Sequence, residues 1–111
     1  MKNTDLINKF ILGEEKGKIG HLFIENNVLY NYGYHFPISL RVKGENGFKF
    51  VVNLDKYSQT TSKIQNQFKR MAEKDIIAGF YTEDLKDLIF EKPQNIEELN
   101  KLLVIKGLNK E

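Results

Sequence analysis

Apolar and polar residues alternate along the first half of the chain, a pattern typical of β-strands that bury one face. The alternating segments predict four strands, which cover residues 21–25, 28–32, 35–43 and 48–53. Asn26 and Asn27 separate the first two segments, and asparagine tolerates the positive φ that both central residues of a type I′ turn need. Since the other connections are also short, we predict a four-stranded antiparallel meander with one apolar face.

The third and fourth of these strands indicate which side chains form the core. Alternation places Arg41 and Lys43 on the polar face, and Pro37, which lacks a backbone N–H, is expected at a strand start, an edge or a bulge. The apolar side chains of these two strands are expected to share one core with two apolar side chains of the main helix. The strand residues are Ile38, Leu40, Val42, Phe48, Phe50 and Val52, and the helix residues are Ile64 and Phe68.

A spacing of three and four residues replaces the alternation between Tyr57 and Lys74, which indicates an amphipathic helix. Its apolar side consists of Ile64, Phe68 and Met71. The candidate N-caps are Thr60, Thr61 and Ser62. Ser62 and Gln65 have the spacing of a capping box, in which each side chain bonds a backbone N–H at the helix start.

Shorter helices are predicted on both sides of this central helix. The first covers residues 4–12 and is capped by Thr4, the second begins at Thr82, and the third is capped by Asn95. Residues 76–81 fit either a last strand or a helix–turn link. A sheet with one apolar face can bury that face only under these helices, so the pattern predicts two layers.

The elements together favour a single α+β domain over residues 1–111, because a chain of this length suits one domain. Its net charge of +2 conceals two segments of opposite sign. Residues 56–74 carry five cations and one anion, whereas residues 83–99 carry six anions and two cations. These segments either pack against each other or form separate faces. The acidic one is typical of a solvated helix surface, and a docking surface for a basic partner is the less favoured interpretation.

Several kinds of chemistry and location lack their sequence signals. Without cysteine there is no thiolate chemistry, and His21 and His35 have no neighbouring set of metal ligands. No glycine-rich phosphate loop joins a strand to a helix, so neither a metal nor an organic cofactor is expected. No apolar run approaches the roughly 20 residues of a membrane helix, and residues 1–10 lack the apolar core of a signal peptide. A cytoplasmic protein is therefore expected.

Two segments resemble a family of short proteins from phages, bacteria and archaea, over about residues 22–68. LYNYGYHFPI at residues 29–38 is similar to the pattern LYSYG-x-H-[FY]-P-I-A, and NLDKYSQTTSKIQ at residues 53–65 is similar to N-x-x-x-YS-x-TTS-x-HQ. Asn31 stands where Ser is usual. Ile64 stands where the family has His, so no role of that His carries over. The family has no known activity, and the resemblance therefore implies an origin in a mobile element rather than a mechanism.

The basic side of the central helix is a candidate nucleic-acid interface. Hydroxyls and backbone N–H groups at its start could hold a phosphate together with Lys63, and side chains such as Asn66 and Arg70 can read base edges. The candidate contact residues are Thr60, Thr61, Ser62, Lys63, Gln65, Asn66, Lys69, Arg70 and Lys74. The alternative is an ordinary amphipathic helix whose exposed side is basic, and the two interpretations are evenly balanced.

Aromatic residues offer two further hypotheses. Tyr30 and Tyr32 fall on one strand face and could stack bases if that face were open, but they share it with an apolar strand residue, which favours the core. His35 beside Tyr57 or Ser58 could form a base–hydroxyl pair. Because no third group orients it, a structural role for the histidine is favoured.

The pattern as a whole predicts a small non-enzymatic protein of phage or plasmid type that binds DNA or RNA through helix 61–74. The alternative is an interaction protein of a mobile element, such as an anti-CRISPR-type inhibitor of a host defence complex. An enzyme built on His35 and residues 57–62 is a third hypothesis.

Overall fold

The computed structural model describes residues 2–109 and contains one mixed sheet with helices on both of its faces. In chain order the elements are α1 (Asn3–Ile11), β1 (Gly17–Ile19), β2 (Leu22–Glu25), β3 (Val28–Asn31), β4 (Pro37–Gly44), β5 (Gly47–Asn53), α2 (Gln59–Met71), a 3-10 turn (Glu73–Asp75), β6 (Ile76–Phe80), α3 (Thr82–Glu91) and α4 (Ile96–Lys106). The strands lie side by side in sequence order from β1 to β6. Neighbours are antiparallel except β5 and β6, which are parallel.

The predicted α+β class is confirmed, whereas the antiparallel four-stranded meander is only the middle of the sheet. β1 lies in a glycine-rich segment for which no strand was predicted. The ambiguous segment 76–81 supplies β6, which runs parallel to β5 because α2 carries the chain back to the same end of the sheet. A parallel pair needs a crossover of this kind, usually through a helix.

The local turn chemistry agrees with the sequence. Asn26 and Asn27 have φ values of 51° and 65°, as a type I′ turn between β2 and β3 requires. Pro37 is the first residue of β4 and pairs with Tyr30 next to a register shift. Leu29 pairs with Ser39, so Ile38 is the additional residue of a bulge between β3 and β4.

The helix ends agree with the sequence in part. The Asn95 side chain accepts the Glu98 backbone N–H at 2.9 Å, which confirms the N-cap of α4. Glu98 accepts the backbone N–H of Gln94 rather than that of Asn95, so Asn95 and Glu98 do not form a reciprocal capping box. Thr4 lies inside α1 and does not cap it. The carboxylate of Asp5 instead accepts the backbone N–H of Lys2 at 2.8 Å.

Two separate cores show that the molecule has three layers and that the two-layer prediction is wrong. The first core joins α1 and α2 to one face of the sheet, and the second joins α3 and α4 to the other face. The physical reason lies in β4, where every residue from Pro37 to Val42 is buried. The basic α2 and the acidic α3 and α4 therefore lie on opposite faces.

The predicted single core is divided between these two clusters. Ile38, Phe50, Val52, Ile64 and Phe68 belong to the first, and Phe48 packs against it. Leu40 and Val42 belong to the second. The bulge explains why Ile38 lies on the α2 side while Leu40 faces α3 and α4, because its extra residue interrupts the alternation of β4 at this point. The register of β4 and β5 explains the rest: Leu40 pairs with Val51, so Phe50 and Val52 lie on the opposite face of the sheet.

Alternation predicted that Arg41 lies on an exposed polar face. In the structure it is buried between the sheet and α1, and only 2% of its surface is exposed. Its Nη1 donates to the carbonyl oxygens of Phe10 at 2.7 Å and Glu14 at 2.9 Å, where α1 ends. Its Nε and Nη2 donate to Oδ1 of Asn27, and the guanidinium lies 4.8 Å from the ring centroid of Phe10. Burial lowers the pKa of Arg41, an effect that nearby Glu15 and Glu14 oppose. A cation at a helix C-terminus is favourable, so Arg41 fastens α1 to the sheet.

Candidate nucleic-acid interface

The central helix α2 begins at Gln59, one residue before the first predicted N-cap, Thr60. Ser58 is the N-cap, and its Oγ accepts the backbone N–H of Thr61 at 3.1 Å. Ser62 lies in the first turn, where its backbone N–H donates to the carbonyl of Ser58 at 2.8 Å. The predicted N-caps Thr60, Thr61 and Ser62 and the capping box of Ser62 with Gln65 are therefore wrong.

Two of the predicted contact residues, Thr61 and Gln65, are buried. Thr61 Oγ1 accepts a hydrogen bond from Nδ2 of Asn31 at 3.0 Å, which ties the helix start to β3. Gln65 Nε2 donates to the carbonyl oxygens of Asn53 at 3.3 Å and Asp55 at 2.8 Å. Thr61 and Gln65 share the inward side of α2 with Ile64 and Phe68, because residues three and four apart lie on one face. In this fold they cannot reach a nucleic acid.

The segment that leads from β5 into α2 is held by its own polar side chains. Asn53 Nδ2 donates to the carbonyl of Pro37 at 2.7 Å, and Asn53 Oδ1 accepts the backbone N–H of Asp55 at 2.8 Å. The Asp55 carboxylate in turn accepts the backbone N–H of Thr82 at the start of α3. Four residues of the second family-like segment, 53–65, therefore have structural roles: Asn53, Ser58, Thr61 and Gln65.

Asp55 is expected to make stability depend on pH in the acidic range. Hydrogen bonds from Thr82 hold the pKa of the Asp55 carboxyl below its ordinary value. A group of this kind contributes stability above its unfolded-state pKa and loses that contribution as the pH falls through its folded-state pKa. Below about pH 4, the free energy of unfolding should therefore fall more steeply in the wild type than in Asp55→Asn. Denaturant titrations across this pH range measure both slopes, and parallel curves would contradict the role of Asp55.

One side of α2 and the segment before it enclose a groove of about 590 Å³, which we call the basic groove. It is lined by Lys56, Tyr57, Ser58, Gln59, Ser62, Lys63, Asn66 and Arg70. The helical members are spaced by three, one, three and four residues, so they share one face of α2. None of these lining residues carries a carboxylate. The groove is therefore a surface of positive charge bordered by hydroxyl and amide groups.

The cations of the groove are not neutralised by ion pairs. Within residues 2–109 the ion pairs are Lys49 with Asp75 at 2.7 Å and Lys106 with Glu91 at 3.7 Å, and neither involves the groove. Lys56, Lys63 and Arg70 are exposed. Their charge is therefore accessible to an anionic ligand.

The predicted contact residues fall into three groups. Ser62, Lys63, Asn66 and Arg70 line the basic groove. Thr60, Lys69 and Lys74 are exposed but do not line it. Thr61 and Gln65 are buried. The sequence interpretation missed Lys56, Tyr57, Ser58 and Gln59, and their signal was the polar, basic segment directly before the helix.

Tyr30 and Tyr32 lie in different environments, which alternation did not predict. Tyr30 is buried in the second core, and its pKa is raised chiefly by burial. Tyr32 lies beyond the end of β3 with φ of 63°, and its exposed ring stacks on His21 at 4.3 Å between centroids. The expectation that Tyr30 and Tyr32 share a buried face is thus wrong for Tyr32.

The histidine hypothesis for catalysis finds no matching geometry. The rings of His35 and Tyr57 meet edge to face at 5.7 Å between centroids. The Ser58 hydroxyl is occupied at the helix start, where it donates to Thr61 Oγ1 at 3.1 Å. Within residues 2–109, His35 forms no hydrogen bond with either hydroxyl, the contact that a base–nucleophile pair makes.

Among the described residues, no cluster of three or more His, Cys, Asp or Glu side chains could hold a metal ion. No helix within residues 2–109 is long and apolar enough to cross a membrane. Comparisons with protein-family models, curated proteins and solved structures gave no match.

Proposed function

We propose that the protein binds nucleic acid through the basic groove and carries out no chemistry on it. The observation that supports this function is a groove with three unpaired cations and no carboxylate in its lining. The acidic helices α3 and α4 lie on the other face of the sheet, so they do not screen it. Electrostatic attraction to phosphates supplies most of the affinity in sequence-independent binding.

The individual roles follow from the exposed groups. Lys56, Lys63 and Arg70 contact phosphates, and the hydroxyl of Ser62 adds a neutral contact. Asn66, exposed between Lys63 and Arg70, is the side chain suited to reading a base edge. Gln65 has no such role because both of its amide hydrogen bonds go to the main chain.

The double variant Lys63→Ala/Arg70→Ala tests this proposal against a matched control, Lys69→Ala/Lys74→Ala. Both remove two exposed cations from the same region, but only the first pair lines the groove. The groove variant should weaken binding, and the slope of log affinity against log salt should shrink by about one per lost phosphate contact. The control should change that slope much less. Fluorescence anisotropy with labelled oligonucleotides at several salt concentrations measures both.

The same titration can contradict the proposal in two ways. Absence of binding by the wild type at low salt would contradict the proposed nucleic-acid function. Equal losses in the groove and control variants would show that general charge attracts the ligand and that the groove has no special part. Melting temperatures show whether each variant is folded. Surface substitutions change stability by only about 0.5 kcal/mol, so the variants should melt close to the wild type.

A protein partner is the second candidate function. Phe90, Val104 and Ile105 on α3 and α4 are 82%, 81% and 78% exposed, and these helices carry all six acidic residues of segment 83–99. Exposed apolar groups rimmed by charge are typical of protein interfaces. This arrangement favours an interaction protein of a mobile element, with a basic partner, if the nucleic-acid titration is negative.

A further inference from the structure

Exposed rings extend from the basic groove to a second cleft, which is lined by β1, β2 and the loop that follows β3. At the groove end Tyr57 is 55% exposed, and its ring meets that of His35. His35 lies against Gly33, and the neighbours of Gly33 are the exposed residues Tyr32 and Tyr34. The loop 32–36 therefore joins the two surfaces with aromatic side chains.

The second cleft, which we call the aromatic cleft, has a volume of about 670 Å³ and combines rings with positive charge. Lys16 and Lys18 come from β1 and the loop before it, and His21, Tyr32 and Tyr34 supply the rings. Glu25 also lines the cleft, and its Oε1 accepts the Tyr34 hydroxyl at 3.1 Å. That hydrogen bond raises the pKa of Tyr34 and partly occupies the carboxylate. The two lysines outnumber this one carboxylate in the lining, so the cleft keeps a net positive charge for an anionic ligand.

The backbone of Tyr32 gives an independent reason to regard the cleft as functional. A bulky residue with positive φ is unusual, and glycine or asparagine would adopt this conformation with less strain. The ring that occupies the position is exposed and contributes to neither buried core. Its packing is limited to the lining of the cleft, where one face of the ring stacks on His21. Backbone strain at an exposed residue of this kind is typical of binding sites.

We infer that the nucleic acid is single-stranded, with unpaired bases stacked on Tyr57 and Tyr32 and phosphates held by the cations at both ends of the loop. This inference rests on the proposed function of the basic groove. An exposed ring can stack on a base only if the neighbouring face of that base is free, which excludes the interior of a duplex. Stacking on rings tolerates every base, so little sequence preference is expected.

Substitutions of the two tyrosines test the inference. Tyr57→Ala/Tyr32→Asn removes both rings, and asparagine tolerates the positive φ at position 32. The matched control is Tyr57→Phe/Tyr32→Phe, which keeps the rings, including the contact of residue 57 with Phe36. Loss of stacking should weaken oligothymidine binding by about 5- to 150-fold per base, whereas the phenylalanine control should bind like the wild type. If Tyr57→Ala lowers the melting temperature, Tyr32→Asn alone provides the comparison.

Tyrosine emission gives a second readout, because the chain contains five tyrosines and no tryptophan. Oligothymidine should quench the emission of the wild type, and the quenched amplitude should shrink in the phenylalanine control although its affinity is retained. Equal or tighter binding of a duplex, with the ring variants unaffected and Lys63→Ala/Arg70→Ala weakened, would overturn the single-strand inference and leave the groove proposal standing. No binding of either form would overturn both.

Discussion

Replacing Arg41 by alanine is expected to lower the free energy of unfolding by about 3–5 kcal/mol. The substitution removes hydrogen bonds to the carbonyl oxygens of Phe10 and Glu14 and to the side chain of Asn27. Buried acceptors that lose their donor keep the cost of leaving water, about 1–3 kcal/mol each. A cavity next to the Phe10 ring adds to this loss. Urea denaturation followed by circular dichroism measures the change.

Two controls show whether the geometry of Arg41 matters or only its charge. Arg41→Lys keeps a cation but has no planar fork that can serve α1 and Asn27 at once, so an intermediate loss is expected. Lys43→Ala removes an exposed cation from the same strand and should change stability by about 0.5 kcal/mol or less. A loss below about 1 kcal/mol in Arg41→Ala would show that Arg41 does not fasten α1.

The burial of Arg41 is a feature of the fold that the sequence pattern does not predict. Alternation correctly places it opposite Leu40 and Val42, but it does not tell whether that opposite face meets water or another layer. Here the other face meets α1, whose terminal carbonyls accept the guanidinium. A carbonyl partner about 30 residues away leaves no mark in the local pattern, and an arginine in a strand is usually exposed.

Features decided within a few residues were predictable. The Asn26–Asn27 turn, Pro37 at the start of a strand and the Asn95 cap follow from backbone chemistry at single positions. The parallel pairing of β6 and the third layer depend on where α2 returns the chain, which is a long-range property. The bulge at Ile38 likewise arises from pairing with β3.

The candidate site shows the same division. Lys63, Asn66 and Arg70 were assigned to a polar helix side and do line the basic groove. Thr61 and Gln65 are polar too, yet they point inward, because main-chain and side-chain groups of the β-strands offer them partners. The hydrophobic pattern treats every polar residue as exposed and so cannot separate these two groups.

The division between inward and outward sides of α2 leads to the second large effect: Phe68→Ala should cost about 3–5 kcal/mol of unfolding free energy. Phe68 is fully buried, and its ring packs against those of Phe50 and Phe10, with centroids 5.4 Å and 6.0 Å away. Truncation leaves a cavity at the centre of the first core and also removes the interactions between aromatic rings. The remaining helix would stay amphipathic but would lose its largest contact with the sheet.

Met71→Ala is the matched control, because Met71 lies one turn further along α2 and the helical spacing of three and four residues predicts it on the same buried side as Phe68. In the structure 40% of Met71 is exposed, because α2 ends there and Ala72 takes the inward position. Its truncation should therefore cost less than about 1 kcal/mol. Denaturant titration of both variants measures the difference. Similar losses in the two variants would mean that the end of α2 is packed as tightly as its centre. A small loss in Phe68→Ala would contradict the packing of α2 in the first core, and with it the rigid support of the basic groove.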